Sequence, residues 1–404
     1  MNIRTAGTCV AVPFAALLCL TTRIPRAGAQ EGGIPLGPLR LHPSLTVTLT
    51  HDDNVTLASD HRTADWITTV APAARLALPV RHVLFELEGG LAARSFGNLD
   101  QEDATDWFVG AAAAGDFPGG LDFKVSDRYA ERRLVASQEY GPGETGTLDT
   151  LAATAGYRVR DALRLELGAR RAAYDYGRSL SRERVETTLQ ADCFWRFRPR
   201  TSAFVEGART RFAYDENAAQ DGSETLVALG LTWEATSRST ALVKAGYEWK
   251  RYEREHSGLG TVDGEYFVLV GGARHDLTRR TAVEVELSRG SYESDFPRNP
   301  YYLRTAFAAG LSHLFTTRIS GRVFLRYARD EFPHAVVYQN PRDPGGVENG
   351  ERTDRALGLT AAVGYEATRW LTLEAAWSGE RRASSFDTFD YAVNRVSLSA
   401  RAAF

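Results

Sequence analysis

From about residue 41 to its last residue, the chain alternates apolar and polar side chains with a period of two. Leu45, Val47 and Leu49 are interleaved with Thr46, Thr48 and Thr50; Val283, Val285 and Leu287 with Glu284, Glu286 and Ser288. The last stretch sets Val396, Leu398, Ala400, Ala402 and Phe404 against Arg395, Ser397, Ser399, Arg401 and Ala403. Side chains on a strand point to opposite faces in turn, so each segment has one greasy and one polar face. No segment holds a helical period over three turns, and the chain reads as all-β.

About eighteen such segments follow one another, from 41–53 to 392–404, each roughly ten to fourteen residues long. Their connections alternate in length. One set is short and includes 116–120, 158–161, 198–201, 236–239, 277–280, 316–318 and 367–369; five of these carry Thr or Ser beside Arg. The other set is longer: 54–63, 133–146, 176–182, 213–222, 253–263, 292–301, 330–352 and 382–391, with most of the Asp, Asn, Gly and Pro clusters. Short turns on one side and long loops on the other are the pattern of a closed, antiparallel, up-and-down transmembrane β-barrel of about eighteen strands, the short side periplasmic. Beyond the leader no apolar stretch approaches eighteen residues, so strands alone are available to cross a membrane. A soluble sandwich also alternates, but its strands are usually shorter. Bulky aromatics near strand ends fit an interfacial girdle: Trp66, Trp107, Trp195, Trp233, Trp249 and Trp377.

The first 29 residues read as a cleaved signal peptide, with Arg4, an apolar run from Cys9 to Leu20 and a small-residue site at Ala27-Gly28-Ala29. Residues 30–40 then form a short periplasmic segment and 41–404 the barrel. Without the leader, 45 basic residues face 51 acidic ones, a balance that argues against a nucleic-acid partner. One cysteine remains, Cys193, which excludes an internal disulfide and a cysteine-based metal site.

Alternation also assigns faces. Lys124, Arg164, Glu166, Arg170, Lys244, Glu248, Glu284, Glu286, Arg322, Arg326, Arg395 and Arg401 fall on the polar, lumen-lining side. Arg128, Glu86, Glu88, Glu186, Asp192, Glu206 and Glu374 join them. Charges of both signs around a narrow aqueous passage select polar solutes; the same pairs can equally lock the wall. No hydrolase constellation is evident: His51 and Asp52 are neighbours on a strand and point apart, and no Gly-x-Ser-x-Gly motif occurs. Asp52, Asp53, Asn54 and Asp60 offer oxygens suited to calcium, but loop tips of this composition ordinarily make turns. Neither a metal, a cofactor nor an enzymatic activity is expected. Loop 330–352, the longest, is the expected inward-folding constriction.

Two stretches carry a resemblance. The ending Arg401-Ala402-Ala403-Phe404, with its alternation, resembles the C-terminal signal read by the outer-membrane barrel assembly machinery. The opening Leu45-Thr46-Val47-Thr48-Leu49-Thr50-His51-Asp52-Asp53-Asn54-Val55 and the recurring Thr-Arg turns resemble the putative outer-membrane β-barrel porin type 2 family, barrels associated with exopolysaccharide or capsule loci. The resemblance implies a pore in the outer membrane of a Gram-negative cell, in contact with its lipids and linked to polysaccharide or a periplasmic export complex. It carries over no catalytic residues. No periplasmic peptide-repeat domain is seen ahead of the barrel, so an export channel built on it is expected to need partner proteins. The competing expectation is a non-conducting barrel that anchors a cell-envelope assembly; a barrel hydrolase is the third.

Overall fold

The structure is a computed structural model that describes residues 33–134, 143–177, 182–216, 220–253, 263–294, 296, 298–339 and 346–404. The expected leader lies outside these residues. Twenty-one strands follow in order: β1 (Ile34–Leu36), β2 (Leu39–Asp52), β3 (Asp65–Val80), β4 (Val83–Phe96), β5 (Ala104–Asp116), β6 (Leu121–Leu134), β7 (Glu144–Arg160), β8 (Leu163–Tyr176), β9 (Arg184–Arg198), β10 (Thr201–Tyr214) and β11 (Gly222–Thr236). Then come β12 (Ser239–Tyr252), β13 (Gly264–Asp276), β14 (Thr281–Glu293), β15 (Tyr301–Leu314), β16 (Ile319–Glu331), β17 (Val336–Gln339), β18 (Val347–Gly350), β19 (Thr353–Glu366), β20 (Leu371–Ser384) and β21 (Tyr391–Ala403).

Eighteen of them, β2–β16 and β19–β21, form one antiparallel wall in which each strand pairs with its chain neighbours. The first and last strands then pair with each other, from Ser44↔Ala403 to Asp52↔Arg395, and the sheet closes. β1 is a three-residue flap on the start of β2, which begins at Leu39, inside the segment expected to precede the barrel. β17 and β18 form a separate hairpin within the longest loop.

Side chains settle the choice between barrel and sandwich. Leu167, Leu189, Leu229 and Leu398 are 59–65 % exposed, whereas their neighbours Glu166, Gln190, Gly230 and Ser397 point to the other side and are less exposed. In a sandwich those leucines would be covered by a second sheet. Here none covers them, and the apolar band of a membrane barrel explains the pattern.

Among the described strands, eight connections leave by the rim that holds both chain ends and nine by the opposite rim. The sequence reading missed one of each: the two-residue turn at Arg81-His82, with Arg81 at φ 49°, and the loop 97–103, which coils into a short 3-10 turn at Asp100–Glu102. The recurring turn motif has a mechanism. In Thr236-Ser237-Arg238, Thr278-Arg279-Arg280, Thr316-Thr317-Arg318 and Thr368-Arg369-Trp370, the threonine Oγ1 accepts the backbone N–H two residues on, at 3.0–3.3 Å. The hydroxyl replaces a ladder partner where the chain reverses.

Trp66, Trp107 and Trp249 stand toward the long-loop rim, and Trp195 and Trp233 toward the short-turn rim. Trp377 does not fit the girdle. It is the seventh of fourteen residues in β20 and faces outward at mid-wall, opposite Ala361 and Val396. Phe404 is 54 % exposed and stacks on Trp370 at 5.7 Å.

Candidate functional site: the inner face and the mouth of the barrel

Strand parity puts the twelve singled-out charges opposite the exposed apolar band, and most make an ion pair there. Arg164 meets Asp122 at 2.5 Å and Glu166 at 2.6 Å, Lys244 meets Glu206 at 2.9 Å, and Arg322 meets Glu374 at 2.8 Å. Arg170 stands 3.8 Å from Glu186, Arg274 binds Glu284, and Arg395 holds Asp52 at 2.6 Å. Glu248 accepts the Ser291 hydroxyl. Glu286 lies beside Glu284 on the same face. Lys124 and Arg326 are exposed on this inner side, with Arg326 over the Phe324 ring at 4.9 Å, and Arg401 is half-buried between Thr46 and Thr372.

Several of these pairs bridge two strands over a third that carries glycine or alanine. Glu88 and Arg128 meet over Gly110, Asp122 and Arg164 over Gly156, Glu206 and Lys244 over Ala228 and Gly230, and Arg322 and Glu374 over Ala362 and Gly364. A Cβ on Gly156 would run into the Arg164 guanidinium. Small inward residues are thus the saddles over which the long charged side chains reach each other.

The long-loop rim is built differently. β13 and β14 pair only from Leu269↔Arg289 to Asp276↔Ala282. Above that point β14 leaves the wall. Ser291 and Glu293 share the parity of outward Val285 and Leu287, yet Ser291 binds Glu248 and Lys250, and Glu293 binds Lys250 at 2.5 Å. Tyr214 of β10 donates to Glu293 at 2.6 Å, and Gln220 donates to the Ser294 carbonyl at 3.3 Å. Lys250 is 1 % exposed and also meets Glu224 at 3.3 Å. The upper end of β14–β15 therefore folds inward, its outer face against the inner face of β10–β12, with Gly290 at the bend.

Two further loops close over it. Phe296, Phe332, Val336, Phe386 and Phe389 form a buried cluster with Tyr302 and Tyr338 packed on it. Arg352, 1 % exposed, lies 3.6 Å from the Phe389 ring centre and binds Asp354 at 2.7 Å; Arg382 binds the same carboxylate. His334 and Asn299 exchange hydrogen bonds at 2.8 and 2.9 Å. The burial of His334 pushes its imidazole below the ordinary histidine value. Here the sequence expectation needs correction. The inward-folding element is the end of β14–β15; the described parts of loop 330–352 pack upon it as its cover. Continued alternation through 281–293 hid the departure, and Gly290 was its one local signal.

The Asp-Asp-Asn tip is a seam lock. Asp52 binds Arg395, Asp53 accepts Asn394 at 2.6 and 2.9 Å, and Asn54 donates to the Ala392 and Ala58 carbonyls. Burial works to raise the Asp53 carboxyl, but the bonds from Asn394 and the charges of Arg62 and His51 hold it below its ordinary value. Those oxygens are committed to the joint between first and last strands, and among the described residues no cluster of metal-ligating side chains occurs. His51 turns outward against Trp66, away from Asp52. Two histidines do meet hydroxyls, His275 with Ser239 at 2.8 Å and His313 with Thr281 at 2.9 Å. Both contacts sit on the outer face at the short-turn rim.

Comparison with known proteins agrees with this geometry. The model of the family described as "Putative beta-barrel porin 2" matches residues 27–404. Among solved structures, a BenF-like porin from Pseudomonas fluorescens Pf-5 superposes with TM-score 0.52 at 11 % identity, covering 91 % of this chain and 99 % of its own. Pseudomonas aeruginosa OccK2 (OpdF) in complex with glucuronate gives 0.51 at 12 %, covering 92 % and 100 %. Pseudomonas aeruginosa OccK1 (OpdK) gives 0.51 at 10 %, covering 90 % and 99 %. At such identities the likeness is one of fold. No curated protein matches the chain.

Proposed function

We propose, from the premise that this chain belongs to the putative beta-barrel porin 2 family, that it forms a water-filled outer-membrane pore for polar solutes. The observation that carries the reading is a closed wall of eighteen strands whose inner face bears exposed charge, Lys124 and Arg326 among them. Barrels of that strand number leave room for an aqueous channel. Water around those charges keeps them affordable, while the outer leucines satisfy the lipid. The twelve inner charges are read as the lumen lining, and the outward tryptophans other than Trp377 as its two interfacial belts. Residues 1–29 are read as the export leader, and the short-turn rim as periplasmic. Exopolysaccharide is the proposed cargo setting.

Purified protein in planar bilayers tests the pore. Stepwise conductance, reduced by added acidic oligosaccharide or glucuronate, is the expected result; bilayers that stay silent at every voltage would refute it.

A second reading draws on a specific observation. The buried Lys250–Glu293 contact and the aromatic cluster around Arg352 fill the long-loop end. A barrel permanently stoppered there would anchor an envelope assembly without conducting. Enlarging the mouth separates the two readings, as described in the Discussion.

A further inference from the structure

The outer face holds an arrangement that neither the pore nor the mouth uses. On the wall's lipid side, Arg289 of β14, Thr305 of β15, Arg329 of β16 and Arg355 of β19 stand side by side in register. Arg381 of β20 lies diagonally beyond, since Leu357 pairs with Arg381 and Arg355 with Ala383. Arg329 and Arg355 are direct cross-strand partners, both exposed. Like charges so placed repel, and a sheet ordinarily avoids the pairing. Below the inward bend of β14, which carries Glu293 to Lys250, Glu331 is the one acid on the outer face of these five strands. It lies 2.7 Å from Arg329 and 3.7 Å from Arg289, so one carboxylate serves two guanidiniums. Among the described residues Arg355 and Arg381 have no acidic partner.

The row sits at a boundary. Immediately below it on the same strands, Phe307, Tyr327 and Leu357 are outward and 38–52 % exposed, the top of the apolar band. Four arginines over one glutamate, placed where hydrocarbon gives way to headgroups, make a site for anions held at a fixed height. Guanidinium matches phosphate as a two-pronged donor. The contrast lies on the opposite side of the barrel, where outward Arg171 and Arg211 each have their own acid, Asp149 at 3.8 Å and Glu253 at 3.6 Å.

We infer that Arg289, Arg329, Arg355 and Arg381 form a binding site for the phosphorylated glycolipid headgroup of the outer leaflet. One phosphate bridging Arg329 and Arg355 would cancel their repulsion, and a second would reach Arg381. The inference rests on the outer-membrane reading with long loops outside, but not on whether the pore conducts.

The test uses the full chain in detergent, with bisphosphorylated lipid A as probe and its dephosphorylated form, phosphatidylglycerol and inorganic phosphate as comparisons. Native mass spectrometry reads retained lipid, and single-channel conductance is recorded on the same samples. Expected is retention of bisphosphorylated lipid A above all three comparisons. The triple variant Arg329→Gln, Arg355→Gln, Arg381→Gln should lose about tenfold in affinity, while Arg171→Gln with Arg211→Gln loses little. Conductance should be the same in all three proteins. Equal retention by the triple variant, or equal retention of phosphatidylglycerol, would overturn the site while leaving the pore reading to its own measurement. Should the triple variant fold poorly, Arg355→Gln alone is read, with at least a threefold loss expected.

Discussion

The wall and the mouth of this barrel use the same residues in opposite ways. Along the wall, charges pair over glycine and alanine saddles and most remain partly exposed, as with Arg322 at 39 % and Arg164 at 30 % side-chain exposure, the Lys244–Glu206 pair being the buried exception. At the mouth they are sealed: Lys250 and Arg352 are each 1 % exposed, with aromatic rings against them. A half-exposed pair contributes little to stability and is screened by salt. A sealed one is costly to break, because its partner is left charged and dry. Most of the wall is thus tolerant of change, whereas the mouth, read as a stopper, is held by buried contacts that are costly to break.

The strongest way to break that comparison is to take the stopper's cover away. Deleting 336–350, which carries the β17–β18 hairpin, should raise single-channel conductance several-fold while the barrel still resists detergent unfolding. Unchanged conductance would place the constriction elsewhere. Next is Lys250→Met, which strands Glu293 beside Glu224 and Glu248. It should lower stability by about 3–5 kcal/mol, as breaking a buried pair does, measured by denaturant titration of the folded band on gels. Arg322→Ala sets the scale for the wall, with under about 1 kcal/mol expected by the same titration; its readout is a reversal potential shifted toward cations. Equal losses in these two variants would erase the distinction between the regions.

Acidity separates the regions more finely. His334 is held below the ordinary histidine value of 6.5 by burial. A lowered histidine contributes fully above 6.5 and loses that contribution as pH falls through its lowered value, when the proton must be accepted in a buried site. Asp53 at the seam is also lowered, from 3.8. Its contribution is complete above 3.8 and is lost only as pH falls through a lower value still. Between pH 7.5 and 5, limited proteolysis should therefore cut the mouth loops faster while the seam holds. Equal loosening at both places would contradict this.

Period-two reading reveals which side of its own sheet a residue takes, and for the wall that was enough. Lys124, Arg164, Lys244 and Arg322 could be assigned from Phe123, Leu165, Val243 and Val323 beside them. It says nothing about where a sheet goes. Glu293 keeps the outward parity of Leu287, yet reaches Tyr214 four strands away, because β14 leaves β13 above Leu269. The mouth depends on contacts between loops far apart in the chain, such as Arg352 with Phe296 and Phe389, and no local pattern encodes them. The Asp-Asp-Asn tip shows the same limit. Its residue types allow a cation or a turn, and only closure against Asn394 and Arg395 decides for the seam.

The central claim is that the greasy face of every strand meets lipid and the polar face meets enclosed water. Cysteine scanning along β16 in liposomes tests it most directly. The free Cys193 is first replaced by serine, and a water-soluble thiol reagent is applied to single cysteines at 320 to 327. The account predicts labelling that alternates, with Ser320, Arg322, Phe324 and Arg326 reactive and Gly321, Val323, Leu325 and Tyr327 protected. Uniform labelling, or protection at the even positions, would contradict it.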